Sequence, residues 1–168
     1  MFEGKSRGFF QVIPNVLTNA QIQELLDYFQ NTPTKRIVSL PKRKVEVVNL
    51  KLNQFPFVTQ TLNNIFKTVL EEYTLEGPHF LTHYPLGGYH SLHSDMEGDS
   101  KNRTYTISLI LNDEYEGGEL IIDGNTAPQS KGDAILFESN LPHEITPITK
   151  GFRFSITECA LTVGSPKN

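Results

Sequence analysis

The sequence predicts a mainly β domain with supporting helices, an α+β arrangement built on a sandwich or jelly roll, and three observations predict it. Two segments with helical apolar spacing precede Gly77-Pro78. Beyond that dipeptide helical periodicity vanishes. Seven short β-like segments follow, separated by Gly, Asn, Asp and Pro turns, which is how a domain of many short strands reads. The 168 residues suffice for one core and are too few for two comfortable ones. With no internal repeat and no low-complexity linker, residues 1–168 read as a single domain, with helical and strand support in 1–77 and the β core in 78–163.

Residues 9–13 form a short apolar segment that Pro14 stops. Thr18 suits a helix N-cap, and Ile22, Leu25, Leu26 and Phe29 fall at i, i+3, i+4 and i+7, so the helix after it buries one stripe. Asn31-Thr32-Pro33 ends it. Residues 34–43 are polar with a Leu40-Pro41 break and read as a loop or irregular hairpin. Their Lys42-Arg43-Lys44 run is the densest positive stretch, either a solvated edge or a contact for an acidic substrate. Residues 45–52 read as a strand. A second helix starts near Pro56, whose fixed φ suits a first turn, and places Val58, Leu62, Ile65, Phe66, Val69 and Leu70 at helical spacing. The strands of the core are expected at 79–84, 89–95, 104–111, 119–123, 134–137, 143–147 and 152–163. Tight turns explain the Gly87-Gly88 and Gly117-Gly118 pairs without any ligand.

Composition excludes several classes. A net charge of −4 argues against a broad electrostatic nucleic-acid surface. A single cysteine excludes an internal disulfide framework and fits a reducing compartment. The first eight residues carry no apolar run of signal-peptide length, and no later segment is long and apolar enough to span a bilayer. A soluble, cytoplasmic protein without a membrane partner is the expectation.

The chemistry-bearing residues lie between His93 and Ser155. In a strand, residues i and i+2 share a face about 7 Å apart, so His93 and Asp95 can lean on one ion while Ser94 points away. His143, in a later β-like stretch, offers a third ligand. Two histidines and one carboxylate on one face of a metal leave three positions open, the facial triad of non-haem Fe(II) oxygenases. In the last strand, alternation puts Arg153, Ser155, Thr157 and Cys159 on one face and Phe152, Phe154 and Ile156 on the other. The first face is polar within an apolar part of the chain and is therefore expected to line an interior site. A buried arginine needs an anionic partner, since breaking such a pair costs about 3–5 kcal/mol. No carboxylate of the chain is an obvious partner, so a ligand carboxylate is expected on the guanidinium fork. His79, His83 and His90 read as structural or solvated, His90 being out of strand phase with His93. Cys159 reads as a small buried hydrophobe.

The ordered set His93-x-Asp95, His143 and Arg153-x-Ser155 resembles the Fe(II)/2-oxoglutarate-dependent dioxygenases, in particular their prolyl 4-hydroxylase-like branch. Three further stretches carry the resemblance: Tyr84-Pro85-Leu86-Gly87-Gly88-Tyr89; Leu111-Asn112 with Tyr115-Glu116-Gly117-Gly118-Glu119-Leu120; and Lys131-Gly132-Asp133 through His143 to Pro147 and Gly151. The resemblance implies a double-stranded β-helix core with the metal inside one end. It implies Fe(II) on His93, Asp95 and His143, and 2-oxoglutarate chelating that iron with its distal carboxylate on Arg153. Ser155 and Tyr84 are implied co-substrate contacts. O2 would take the last open position, with succinate and CO2 as products and ascorbate as the reductant. Arg103 and Tyr89 are candidate substrate contacts at the site mouth, and the substrate is a prolyl residue in a peptide or protein.

Two departures bear on that reading. Many prolyl hydroxylases carry a tyrosine in the strand aligned with residues 104–111, where this chain has Ile110, and a tryptophan near Cys159. The first leaves Tyr84, Ser155 or another hydroxyl to complete the carboxylate site. The second opens space near the metal and makes a free amino acid or other small molecule an alternative substrate. The nucleic-acid demethylase branch typically carries a second arginine after the first, and none follows Arg153. A cupin-type metal protein and a non-catalytic peptide-binding module are the readings that do without 2-oxoglutarate.

Overall fold

The computed structural model describes residues 10–33, 35–96 and 101–162. Residues 1–9, Thr34, residues 97–100 and the strand end at Val163 lie outside the described residues. The chain opens with β1 (Gln11–Ile13), then α1 (Asn19–Asn31). Thr18 caps α1 in a reciprocal box: its hydroxyl accepts from Gln21 N at 3.1 Å, and Gln21 Oε1 accepts from Thr18 N at 2.9 Å. The helix buries Ile22, Leu25 and Phe29, the stripe that the spacing specified.

Residues 34–43 are more regular than expected. β2 (Arg36–Leu40) pairs antiparallel with β3 (Arg43–Leu50) over five residue pairs, from Arg36↔Val47 to Leu40↔Arg43. Pro41 and Lys42 make the turn. Ile37 and Val38 suit a strand, and pairing with β3 holds the polar residues around them in it. α2 (Pro56–Phe66) starts at its proline and buries Val58, Leu62, Ile65 and Phe66. It ends before Val69 and Leu70, which still pack on the core from outside the helix.

After the short β4 (Thr74–Leu75) the chain is all strand: β5 (His79–Tyr84), β6 (Tyr89–His93), β7 (Arg103–Ile110), β8 (Glu116–Gly117), β9 (Leu120–Ile122), β10 (Asn125–Ala127), β11 (Ala134–Glu138), β12 (His143–Ile145), β13 (Ile148–Lys150) and β14 (Arg153–Leu161). Twelve of the fourteen described strands join in one sheet ordered β1-β11-β7-β14-β5-β3-β6-β12-β9-β10, with β2 added on β3 and β4 on β14, while β8 and β13 pair separately. Every pairing is antiparallel. The sheet curls into the jelly roll that the sequence predicts. Gly117, at φ 74°, makes its closest approach here: a Cβ on it would collide with Pro147 O, so only glycine fits.

The curl separates two cores. Outside, α1 and α2 cover Leu81, Leu109, Leu136 and Ile156. Each fully buried Leu, Ile or Phe there contributes about 1.5–3 kcal/mol, which fixes the helices as a brace on one face. Inside, Val38, Val45, Val47, Ile110, Ile122, Ile135, Phe137 and Ile145 pack around the mouth of the roll. The polar face of β14 opens on that inner side.

Candidate metal and co-substrate site

His93 closes β6 and His143 opens β12, and the two are register partners. Their imidazoles therefore sit side by side, with ring centroids 4.3 Å apart. Asp95 arrives differently from the strand alternation expected. β6 has ended by His93, and the chain bends so that Asp95 N donates to Ser139 O at 2.9 Å. Thr106 Oγ1 donates to Asp95 Oδ2 at 2.9 Å, and the same hydroxyl lies 2.8 Å from Ser139 Oγ and 3.4 Å from Cys159 Sγ. One ligand atom each from His93, Asp95 and His143 lie within 4.8 Å of one another.

Ring orientation tests this donor set. His93 Nδ1 is 2.7 Å from Ser91 O, and His143 Nδ1 is 3.0 Å from Leu141 O. A carbonyl only accepts, so each Nδ1 carries the proton. In the neutral rings each Nε2 then presents its lone pair, and it does so 3.5 Å from one of the two Asp95 oxygens. Two neutral imidazoles and a carboxylate converging on one point fit a divalent cation held on one face, with its other positions open. Burial pushes the Asp95 carboxyl up, but the neighbouring His93 and His143 rings and the Thr106 hydroxyl hold it below its ordinary value. Burial pushes the His143 imidazole below its ordinary value, against the opposing charge of Asp95.

The other end of the cavity is built by alternation. Arg153 is 1% exposed. Its Nε donates to Gln129 Oε1 at 2.9 Å and its Nη1 to Ser155 Oγ at 3.1 Å, and its guanidinium lies 4.9 Å over the Tyr84 ring. Among the described residues no carboxylate is paired with it. Tyr84 is buried, which raises its phenol, with Arg153 pulling the other way. Ser155 stands in register with Ile110, so Arg153 and the hydroxyls around it meet an apolar wall where many prolyl hydroxylases place a tyrosine. Triad, Tyr84 and Arg153 line a cavity of about 460 Å³, within the usual range for a small-molecule site.

Other expected contacts divide. Arg103 lines the cavity, but its guanidinium grips Glu76 through two bonds of 2.9 Å and donates to Asp95 O at 3.2 Å. It fastens the chain beside the triad. Tyr89 is not among the residues lining the cavity; its hydroxyl donates to Pro41 O at 2.9 Å and ties down the β2–β3 turn. His90 does line the cavity, stacked 3.7 Å from His93, because a register shift between β12 and β6 undoes the strand phase that was expected to turn it away. Burial and the neighbouring His93 push it down to about 3, so it stays neutral. Cys159 is buried as expected and also lines the cavity. His79 is structural, 1% exposed with Nδ1 2.5 Å from Glu158 Oε1. Sequence reasoning missed Gln129 and Thr106. The run Thr104, Thr106, Ser108 within an apolar strand was a legible signal for Thr106; Gln129, in a polar loop, gave none.

Residues 79–158 match the 2OG-Fe(II) oxygenase superfamily, and this interval contains the triad and Arg153. Over that interval the chain is similar to 2OG-Fe(II) oxygenases, and its fold is that of prolyl hydroxylases of known structure. A PKHD-type hydroxylase of Saccharophagus degradans is 28% identical over 170 residues, an alignment covering 85% of this chain and 74% of that protein. Alignments to two further proteins of the same description cover 38% and 44% of their lengths. The prolyl-4-hydroxylase of Pseudomonas putida superposes with a TM-score of 0.72 at 19% identity, covering 92% of this chain and 93% of that one. A prolyl hydroxylase of Trichoplax adhaerens, solved with a peptide fragment of hypoxia inducible factor, gives 0.77 at 18% identity, covering 96% and 89%. This superfamily uses Fe(II), 2-oxoglutarate and O2. No helix among the described residues is long and apolar enough to cross a membrane.

Proposed function

We propose that this oxygenase hydroxylates a C–H bond of a prolyl residue in a peptide or protein, with His93, Asp95 and His143 holding Fe(II), and Arg153, Ser155 and Tyr84 holding 2-oxoglutarate. The observation that carries the reading is the juxtaposition, in one cavity, of three converging ligand atoms with a buried arginine that pairs with no described carboxylate. When bound, the iron and co-substrate supply O2 activation coupled to oxidative decarboxylation of 2-oxoglutarate to succinate and CO2, with one oxygen atom inserted into the substrate C–H bond.

The chain's own residues set the geometry. Ser91 O and Leu141 O fix the imidazole tautomers, and Thr106 with Ser139 fixes Asp95. Gln129 and Ser155 hold the Arg153 fork in the plane in which it receives a carboxylate two-pronged, and Tyr84 shields that pair from water. The inner apolar core keeps water from the reacting centre. Residues 1–77 act as the brace and 78–163 as the catalytic core of one domain. Ascorbate serves as reductant, and the single reduced cysteine fits a cytoplasmic setting. A peptide substrate is favoured because a structural neighbour of the same fold was solved with a peptide.

The test is succinate release by the purified protein with Fe(II), ascorbate, O2 and 2-oxoglutarate, with prolyl peptides and without them. Peptide-stimulated release that His143→Ala abolishes is expected. Failure of the protein to bind 2-oxoglutarate anaerobically in the presence of Fe(II) would overturn the proposal.

A further inference from the structure

All four described arginines of this net-acidic chain, Arg36, Arg43, Arg103 and Arg153, line the one cavity that holds the triad. Two have assigned work. Arg153 receives the co-substrate carboxylate, and Arg103 is clamped on Glu76. Arg36 and Arg43 have neither carboxylate nor hydrogen-bond partner among the described residues; Arg36 rests only on the Phe80 ring, 5.7 Å from its centroid. The carboxylates that line the cavity are all engaged. Asp95 serves the triad, Glu76 holds Arg103, and Glu158 binds His79 Nδ1 and Gly77 N. Among the described residues no carboxylate pairs with these two cations, and both stand at the cavity where a ligand can meet them.

Their placement says what kind of ligand. The β2–β3 hairpin turns Arg36 toward the cavity, together with Arg43, Val45 and Val47 of the paired strand. The result is an apolar floor with one guanidinium at each end. Arg36 is register partner of Val47, and Val47 is four residues along β3 from Arg43, so the two sites stand about 13 Å apart along the strand. An extended peptide covers that span in about four residues. A free amino acid, with its charges on one residue, does not reach both ends.

We propose that the substrate is an acidic peptide segment, with carboxylates on both sides of the hydroxylated residue read by Arg36 and Arg43. This rests on the hydroxylase reading for the identity of the central residue, but the charge preference is measured by binding alone. The probe is a set of fluorescent prolyl peptides bearing Glu, Gln or Lys two positions before and two after the proline. Anisotropy is read anaerobically with Fe(II) and 2-oxoglutarate. The Glu peptide is expected to bind about tenfold or more tightly than the Gln peptide, with the difference shrinking as salt rises. Arg36→Gln and Arg43→Gln should each remove about three- to tenfold from Glu-peptide affinity and leave Gln-peptide affinity in place, which also reports an intact fold. Lys131→Gln, which removes a positive charge outside the cavity, should change neither.

Equal affinity for Glu and Gln peptides would overturn the proposal. So would equal weakening of both by the arginine variants, or displacement of the Glu peptide by free glutamate or a short oligonucleotide at lower concentration than by unlabelled Glu peptide. Selective binding of the Glu peptide without any succinate release would uphold this inference and count against the hydroxylase reading. Peptide-stimulated succinate release that is indifferent to charge would do the reverse.

Discussion

At the triad end of the cavity Asp95 comes from chain that has bent away after β6, whereas at the Arg153 end every group stays in a strand, Arg153 and Ser155 on one face of β14 and Tyr84 on β5 beside them. The triad is aimed by backbone: Ser91 O and Leu141 O on the imidazoles, Ser139 O on the Asp95 amide. Arg153 is aimed by side chains, Gln129, Ser155 and the Tyr84 ring. Main-chain carbonyls cannot be mutated away, so the metal pole is rigid to most substitutions other than loss of a ligand. The co-substrate pole is modular, and each of its supports can be removed singly.

The largest effect should come from Asp95→Ala. Loss of a ligand should cost more Fe(II) affinity than the roughly 10–100-fold typical of removing an outer partner, and 2-oxoglutarate affinity should fall with it; metal titration by calorimetry checks both. An Asp95→Ala protein with wild-type Fe(II) affinity would dissolve the distinction between the two poles. Next is Arg153→Met, which keeps bulk while deleting the charge. It should weaken 2-oxoglutarate binding by about 2–5 kcal/mol with Fe(II) affinity unchanged, and thermal stabilisation by 2-oxoglutarate should disappear. Equal loss of metal and co-substrate binding would mean that the poles are not separable.

Thr106→Val sharpens the comparison from the other side, since it removes the side-chain hydroxyl that donates to Asp95. Fe(II) affinity should fall about tenfold, while 2-oxoglutarate affinity at saturating metal stays put. The smallest effect concerns Cys159, which burial, reinforced by Asp95, pushes up to about 12. Its thiol should resist iodoacetamide in the folded protein and react once the chain is unfolded. Because the folded thiol is the weaker acid, its contribution to stability is full below the unfolded value of 9.0 and is lost as pH rises toward about 12. A chemical-denaturation series across alkaline pH, comparing wild type with Cys159→Ala, measures that slope.

The sequence by itself determined the elements whose signals are local. Thr18 with Gln21 and the stripe Ile22, Leu25, Phe29 specified α1, and Pro56 specified the start of α2. Alternation specified β14 and put Arg153 and Ser155 on one buried face. Residue type and order alone brought out His93, Asp95, His143 and Arg153, because few side chains can bind a metal and few buried cations lack a partner. Only the tertiary structure decided the rest. Asp95 reaches the triad through a bend held by Ser139, pairing with β3 holds the polar residues of β2 in a strand, and a register shift turns His90 inward. Gln129 and Thr106 become supports, and Arg36 and Arg43 become cavity walls, because the curl of the sheet decides which strands are neighbours and which face is inside. A sequence records the periodicity of each strand; the side that becomes the interior is chosen when all the strands close together.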